Sequence, residues 1–254
     1  MRALFVRMAS MTFPILYEDK HTLVIDKPVG IMVHPDDRQD EDTVASWLGG
    51  LYDMKGVGEK GREGIVHRLD RNTTGVLLLA KDNIAFTTFK KQFKDHTTRK
   101  VYRAIVEGNI KDDTGMISAP LARAKSDFRR RTIVDLFTGD ARGEEREAIT
   151  RYKVIGRSKT EDGKDYTYVE CYPLTGRTHQ IRAHFRGIRH PIIGDDLYGS
   201  RLGKDLAPRS MLHAYSLTIE IPGETEGKIQ KTFTSEVPKD METVLKKLKL
   251  TASL

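Results

Sequence analysis

Short apolar runs separated by turn residues characterise the chain and indicate extended structure. Leu23 to Ile25 form an apolar run before a turn at Lys27 to Gly30, and Ile31 to Val33 form a second extended piece. Later segments alternate apolar with polar positions, as half-buried strands do. These segments are KVYRAIVEG, YTYVECYPL and MLHAYSLTIEIP, and GVLLLAKD has the length and flanks of a buried strand. The pattern predicts a β-rich protein.

Helical spacing of apolar residues recurs at three places. The apolar positions are Val44, Trp47, Leu48 and Leu51 in the first helix, Phe86, Phe89 and Phe93 in the second, and Met241, Val244, Leu245 and Leu248 in the third. Asp42 or Thr43 is a candidate cap for the first helix, the second follows Asp82, and the third follows Pro238. Each helix has one apolar face, so we expect the three to pack against the sheet.

Two charged stretches, ARAKSDFRRRT (122–132) and TGDARGEERE (138–147), fit neither pattern and are predicted to be exposed loops. No internal repeat, low-complexity tract or Pro/Ser-rich linker divides the chain. We therefore predict one α+β domain over residues 17–254, with helices laid against a largely antiparallel sheet, and an N-terminal extension over residues 1–16.

Composition narrows the class of protein. Among 254 residues, 43 Lys and Arg outnumber 36 Asp and Glu, and the net charge of +7 favours a polyanionic partner. The single cysteine, Cys171, cannot form an internal disulfide, which fits a reducing cytosol. Arg7 and Pro14 interrupt the N-terminal apolar residues, so no signal peptide or membrane span is predicted, and Met8 or Met11 is an alternative start.

Several common kinds of catalytic or binding site are excluded because the sequence lacks the residues that they require. The segment GSRLGKD is too short for a phosphate loop, and HRLD has none of the accompanying kinase motifs. His179 and His184 are five residues apart without an HExxH glutamate, and no serine sits in a GxSxG elbow. What remains is Asp70, between Arg68 and Arg71 at the start of an apolar strand. Alone, such a carboxylate is most often part of a surface salt bridge or a turn.

The order of several motifs changes that interpretation. They are KPVGIMVHP (27–35), HRLDRNTTGVLLLAKD (67–82), KVYRAIVEG, GRTHQIRAHF with HPIIGDDLYG, and MLHAYSLTI. Together they resemble the RluA-type pseudouridine synthases over the chain from about Tyr17 to Pro222. The resemblance implies a pseudouridine synthase fold with a central basic cleft. Many members carry a small helical RNA-binding domain in front, which we do not expect in this protein, so analogy with those members does not fix the substrate.

The resemblance implies an isomerase that detaches uracil from ribose at nitrogen and rejoins it through carbon. It makes Asp70 the catalytic carboxylate, acting either as a nucleophile at the anomeric carbon or as a base on the adjacent ribose carbon. Arg182 is its implied partner, because an opposite charge nearby favours the ionised form of a carboxylate. Tyr102 is expected to stack on the base and is a candidate for proton transfer, and Leu212 is expected on the base's other side.

RNA contacts follow from resemblance and from charge. Arg68 is assigned by resemblance to the RNA around a flipped nucleotide. By charge alone, we expect phosphate contacts from Arg129, Arg130, Arg131, Arg186 and Arg189. The predicted partner is ribosomal or transfer RNA, with ribosomal RNA preferred, and the protein is predicted to be a monomer that needs no cofactor or metal. The alternative functions are a catalytically silent RNA-binding protein and, more distantly, a metal-dependent RNA hydrolase.

Overall fold

A long mixed sheet and a small separate sheet make up the β structure of the protein. The computed structural model describes residues 12–35, 42–127, 129–134, 140–223 and 227–251. The strands are β1 Ile15–Glu18, β2 Thr22–Lys27, β3 Thr74–Ala80, β4 Arg99–Glu107, β5 Thr114–Ser118, β6 Leu121–Ala124, β7 Arg131–Ile133, β8 Ala141–Arg146, β9 Ile149–Lys159, β10 Asp165–Pro173, β11 Leu212–Pro222 and β12 Lys228–Thr234. The helices are α1 Val44–Leu51, α2 Asn83–Lys94, α3 Gln180–Gly187, α4 Arg201–Leu206 and α5 Lys239–Lys247.

The large sheet has the order β1-β2-β3-β11-β4-β10-β9-β5, with β12 also paired to β11. Its strand pairs are antiparallel except for β3 and β11, which run parallel at the centre. The predicted α+β class with a largely antiparallel mixed sheet is therefore confirmed. The parallel pair is important for function because it places the start of β3 beside the start of β11.

Strand β3 is apolar along its whole length because both of its faces are covered. Leu77 and Leu79 pack in one cluster with Leu48 of α1, whereas Leu78 packs in another with Phe89 of α2. All seven β3 residues are buried, as expected for a central strand between two helical layers. The two layers hold this strand firmly, and the chain that precedes it carries Asp70.

The three predicted helices form where the apolar spacing indicated, and side chains cap the N-termini of the first two. Thr43 caps α1 through a reciprocal pair of hydrogen bonds with Ser46, and the side chain of Asp82 accepts from the backbone N–H of Ala85 in α2. One apolar position differs from the prediction: Leu51, in the last turn of α1, is 56% exposed. No helix among the described residues is long and apolar enough to cross a membrane.

The prediction of loops at 122–132 and 138–147 was wrong. Strands β6, β7 and β8 lie in these stretches and form a second sheet with the order β7-β6-β8. Most side chains of β8 are exposed, so no apolar alternation marks it as a strand, and backbone pairing with β6 defines it instead. Residues 128, 138 and 139 of these stretches lie outside the described residues.

The chain joins the fold before the domain start predicted at residue 17. Phe13 is buried with its ring edge-on to Trp47, at 4.6 Å between centroids, and β1 pairs with β2 from Ile15 onward. The last four residues of the predicted extension 1–16 thus pack on or pair with the domain. The alternative starts Met8 and Met11 lie outside the described residues.

Candidate active site

Two neighbouring turns fix the position of Asp70. The buried ammonium group of Lys27 donates to the carbonyl oxygens of Pro28 and Ile31 at 2.8 Å and to that of Arg71 at 3.2 Å. The backbone N–H of Gly30 also donates to the Arg71 carbonyl, at 2.8 Å. Burial lowers the pKa of Lys27 to about 7, although the charge of Asp70 opposes the shift. The Lys27–Gly30 turn therefore holds the chain directly after Asp70.

Arg209 also holds the turn that carries Asp70. Its Nη1 atom donates to the carbonyl oxygens of Asn72 and Leu212, both at 3.3 Å. Its Nε and Nη2 atoms donate to both carboxylate oxygens of Asp240 in α5, at 2.6 and 2.9 Å. One buried guanidinium thus connects the turn that carries Asp70, the start of β11 and the C-terminal helix.

Close contact between β3 and β11 brings the remaining parts of the site together. Gly75 has φ +110°, and a Cβ atom there would lie 2.2 Å from the carbonyl oxygen of Ala214, so this contact requires glycine. On the other side of β11, Ala214 is opposite Tyr102 and Leu212 is opposite Ala104 in β4. Opposite residues in a ladder share a face, so Tyr102 and Leu212 lie on the same face of the sheet.

A cleft of about 470 Å³ opens over this face. Five of the residues singled out in the sequence line it: Arg68, Asp70, Tyr102, Arg182 and Leu212. Further basic residues in its wall are Lys94, Lys100 and Arg177, and Asp70 is the one acidic residue that the described part of the chain contributes to its lining. The central basic cleft expected from the resemblance is therefore present, with a single carboxylate inside it.

Asp70 and Asp195 have contrasting surroundings. Asp195 has no exposed surface and accepts from Arg182 Nε and Nη2 at 2.6 and 2.8 Å, and from the backbone N–H groups of Leu197 and Tyr198 at 3.0 Å. Asp70 lies 3.5 Å from Arg182 Nη1 and 3.7 Å from His179 Nε2. Asp195 therefore has its hydrogen-bonding capacity satisfied by the protein, whereas Asp70 is a lightly bonded carboxylate that faces the cleft.

Arg182 is a cation shared among three carboxylates. Burial alone would lower its pKa, but hydrogen bonds and charge from Asp195 outweigh burial and raise the pKa above the usual range. Asp196 adds a third contact, 3.1 Å from Nη2. The arginine predicted as the partner of Asp70 thus lies within ion-pair distance of it, but its closest partner is Asp195.

Known proteins resemble this chain in both sequence and fold. A family model described as RNA pseudouridylate synthase matches residues 21–186. The protein named ribosomal large subunit pseudouridine synthase D from Borreliella burgdorferi is 36% identical over 92% of this chain and 68% of its own length. The protein of the same name from Zymomonas mobilis is 38% identical over 92% of this chain and 72% of its own length. A solved structure titled human RNA pseudouridylate synthase domain containing 4 has a TM-score of 0.70 at 24% identity, covering 95% of each chain.

The chain belongs to the RNA pseudouridylate synthase family. The resemblance found in the sequence motifs is therefore confirmed, and with it the enzyme class, an isomerase that acts on RNA. The roles of individual residues in this synthase stay predictions, which the geometry of the cleft can support.

Sequence reasoning missed Asp195 and Tyr198 of this synthase, and it named His179 without placing that residue beside Asp70. His179 has a left-handed backbone, with φ 56°, and its Nδ1 atom lies 3.1 Å from the Tyr198 hydroxyl, which accepts from the backbone N–H of Arg131. Burial lowers the pKa of His179, so the ring is neutral at pH 7. The Tyr198 hydroxyl can then donate to Nδ1, which leaves the ring proton on Nε2, facing Asp70. In the sequence, the segment GDDLYG shows only two adjacent aspartates before a tyrosine, and nothing in it indicates these contacts.

The five arginines chosen by charge lie outside the cleft lining of the synthase. Arg129 and Arg130 are exposed in the turn between β6 and β7, and Arg129 Nη2 is paired with Asp127 at 2.8 Å. Arg131 begins β7, while Arg186 and Arg189 are exposed in and after α3. Their contacts with RNA phosphates stay predictions. No three His, Cys, Asp or Glu side chains come together as ligands for a metal ion in the described ranges.

Proposed function

We propose that this synthase isomerises uridines in ribosomal RNA and that Asp70 is its reacting carboxylate. The observation that carries the proposal is the contrast within the site: the cleft lining contains one carboxylate, and that carboxylate is held in place while its oxygens remain lightly bonded. The names of the two bacterial relatives support ribosomal over transfer RNA as the substrate class.

In this proposal the target uridine leaves its stack and enters the cleft, at a cost of a few kcal/mol for unstacking. The glycosidic bond from ribose to N1 of uracil breaks, the base turns, and a bond from the same ribose carbon to C5 forms. Asp70 either attacks the anomeric carbon or removes a proton from the adjacent ribose carbon, and both routes require the carboxylate. Arg182, held by Asp195, presents Nη1 to Asp70 and orients it.

Tyr102 and Leu212 are the proposed contacts for the base. Burial, and after it the charge of Asp70, raises the pKa of Tyr102 above its usual range, so the hydroxyl stays protonated at neutral pH. A protonated phenol is a poor proton acceptor, and we therefore assign Tyr102 to stacking on uracil. Leu212 contributes an apolar contact from the neighbouring strand.

Tritium release separates the two RNA classes. Unmodified ribosomal and transfer RNA, each labelled at C5 of uracil, are incubated separately with the wild-type synthase, because forming the bond at C5 expels that hydrogen. We expect release from ribosomal RNA. Release from transfer RNA alone would overturn the substrate class, and release from neither would contradict the proposed function. The cytosolic location and the monomeric state stay predictions.

A further inference from the structure

Part of the cleft wall, here called the basic end, consists of basic residues that the proposed reaction does not use. Lys94, Lys100 and Arg177 line this end. Beside them the rings of His67 and Phe93 stack, with centroids 4.7 Å apart and planes inclined by 22°. Among the residues that the structure describes, Asp70 alone is acidic in the cleft lining, so this end is positively charged and suited to an anionic group.

Lys100 lies in the wall of this end without a counter-ion. Its half-buried ammonium group donates to the carbonyl oxygen of Thr175 at 3.4 Å, and no carboxylate of the described residues lies within ion-pair distance of it. Burial lowers the pKa of Lys100 to about 8. Keeping a desolvated cation unpaired is unfavourable, and an anion bound in the cleft would relieve that cost.

The position of Lys100 relative to Tyr102 indicates which anion fits. The two residues are two positions apart in β4 and both side chains line the cleft, so their Cα atoms are about 6.7 Å apart along one face of the strand. A nucleotide whose base stacks on Tyr102 can therefore place its backbone phosphate at Lys100, two positions along the same strand face.

We propose that Lys100 binds the RNA phosphate directly attached to the target nucleoside, with Lys94 and Arg177 at the mouth of the same subsite. This inference rests on the proposed function, because the base at Tyr102 defines the direction of the backbone. It makes Lys100 a substrate-binding residue that recognises a phosphodiester-linked uridine in preference to a free nucleoside. A lysine ammonium, as a compact point charge, suits a phosphate that can be approached from several directions.

Calorimetric titration tests the subsite without turnover. The ligands are uridine, uridine 5′-monophosphate and uridine 3′-monophosphate, and the proteins are wild type, Lys100→Met, Lys100→Arg and Lys91→Met. Lys91 is the matched control, because it is an exposed lysine of α2 that pairs with Asp95 and does not line the cleft. We expect wild type to bind one monophosphate roughly 10- to 100-fold more tightly than uridine, the range of a charged hydrogen bond.

Lys100→Met should lose this preference while binding uridine as wild type does, and both Lys100→Arg and Lys91→Met should keep it. In RNA binding, Lys100→Met should also reduce the slope of log affinity against log salt by about 0.7, the value for one phosphate contact on a single strand. A phosphate preference that survives in Lys100→Met, or its absence from wild type, would overturn the inference. Failure of the proposed function is a separate result, because it appears as missing tritium release.

Discussion

Removing the charge of Asp195 should destabilise the protein far more than removing that of Asp196, although both contact Arg182. Asp195 is fully buried and receives both Nε and Nη2 of Arg182, whereas the Asp196 side chain is 63% exposed with one contact. Breaking a buried pair by removing one partner costs about 3 to 5 kcal/mol, and an exposed pair is worth about 0 to 1 kcal/mol. Asp70 and Asp196 remain beside Arg182 in Asp195→Asn, so we expect the lower value, about 3 kcal/mol.

Equilibrium denaturation and thermal melting of Asp195→Asn and Asp196→Asn measure this difference. For a chain of this size, about 3 kcal/mol corresponds to a melting temperature lower by about 6 to 12 °C, while Asp196→Asn, which should cost about 0 to 1 kcal/mol, should stay within about 4 °C of wild type. Asp195→Asn should also slow the isomerisation, because the guanidinium that orients Asp70 loses its main anchor. Equal stability of the two variants would refute the assignment of Asp195 as the residue that holds Arg182.

Two other features give predictions of stability. In a denaturant titration, Gly75→Ala should lower the free energy of unfolding by at least about 3 kcal/mol, because the new Cβ atom would meet the Ala214 carbonyl oxygen. Gly30→Ala should lower it by only about 1 to 2 kcal/mol, because Gly30 has φ +86° but open space around it. Similar costs for the two variants would argue against the close contact of β3 and β11. Burial, and then the charge of Lys100, lowers the pKa of His67 to about 3. Between pH 6.5 and 5, His67 therefore takes up a proton in the unfolded chain but not in the folded protein. The free energy of unfolding falls as the pH falls through this interval. His67→Gln should therefore lose about 1.5 kcal/mol less stability than wild type over that interval, and an unchanged pH dependence would show that His67 titrates normally in the folded protein.

Elements with buried faces could be predicted from the sequence, because burial leaves an apolar pattern: a continuous run in a strand covered on both faces, and helical spacing in a helix with one buried face. Strand β3 and helix α2 are examples, with Leu78 and Phe89 meeting in one cluster. Strand β8 could not be predicted in this way, because its pairing uses backbone groups and most of its side chains face solvent.

Only part of the active site could be predicted from the sequence, because its contacts join residues that are far apart in the chain. Asp70 and Arg182 are 112 positions apart in the chain, so no local pattern brings them together, and the resemblance to a known family supplied the pairing. Asp195 was missed because nothing in GDDLYG shows which of the two aspartates is buried. Lys27 was quoted within a motif, but its contact with the Arg71 carbonyl depends on how two distant turns pack.

The most direct test of the central claim is single-turnover tritium release by Asp70→Asn, measured beside wild type on the RNA class that the wild type modifies. RNA binding and the melting temperature of both proteins are measured in the same preparation. We expect Asp70→Asn to bind RNA and to fold as wild type does but to release no tritium above background, because the amide can neither attack the ribose nor remove its proton. Release at the wild-type rate would contradict the account and exclude the Asp70 carboxylate from the reaction.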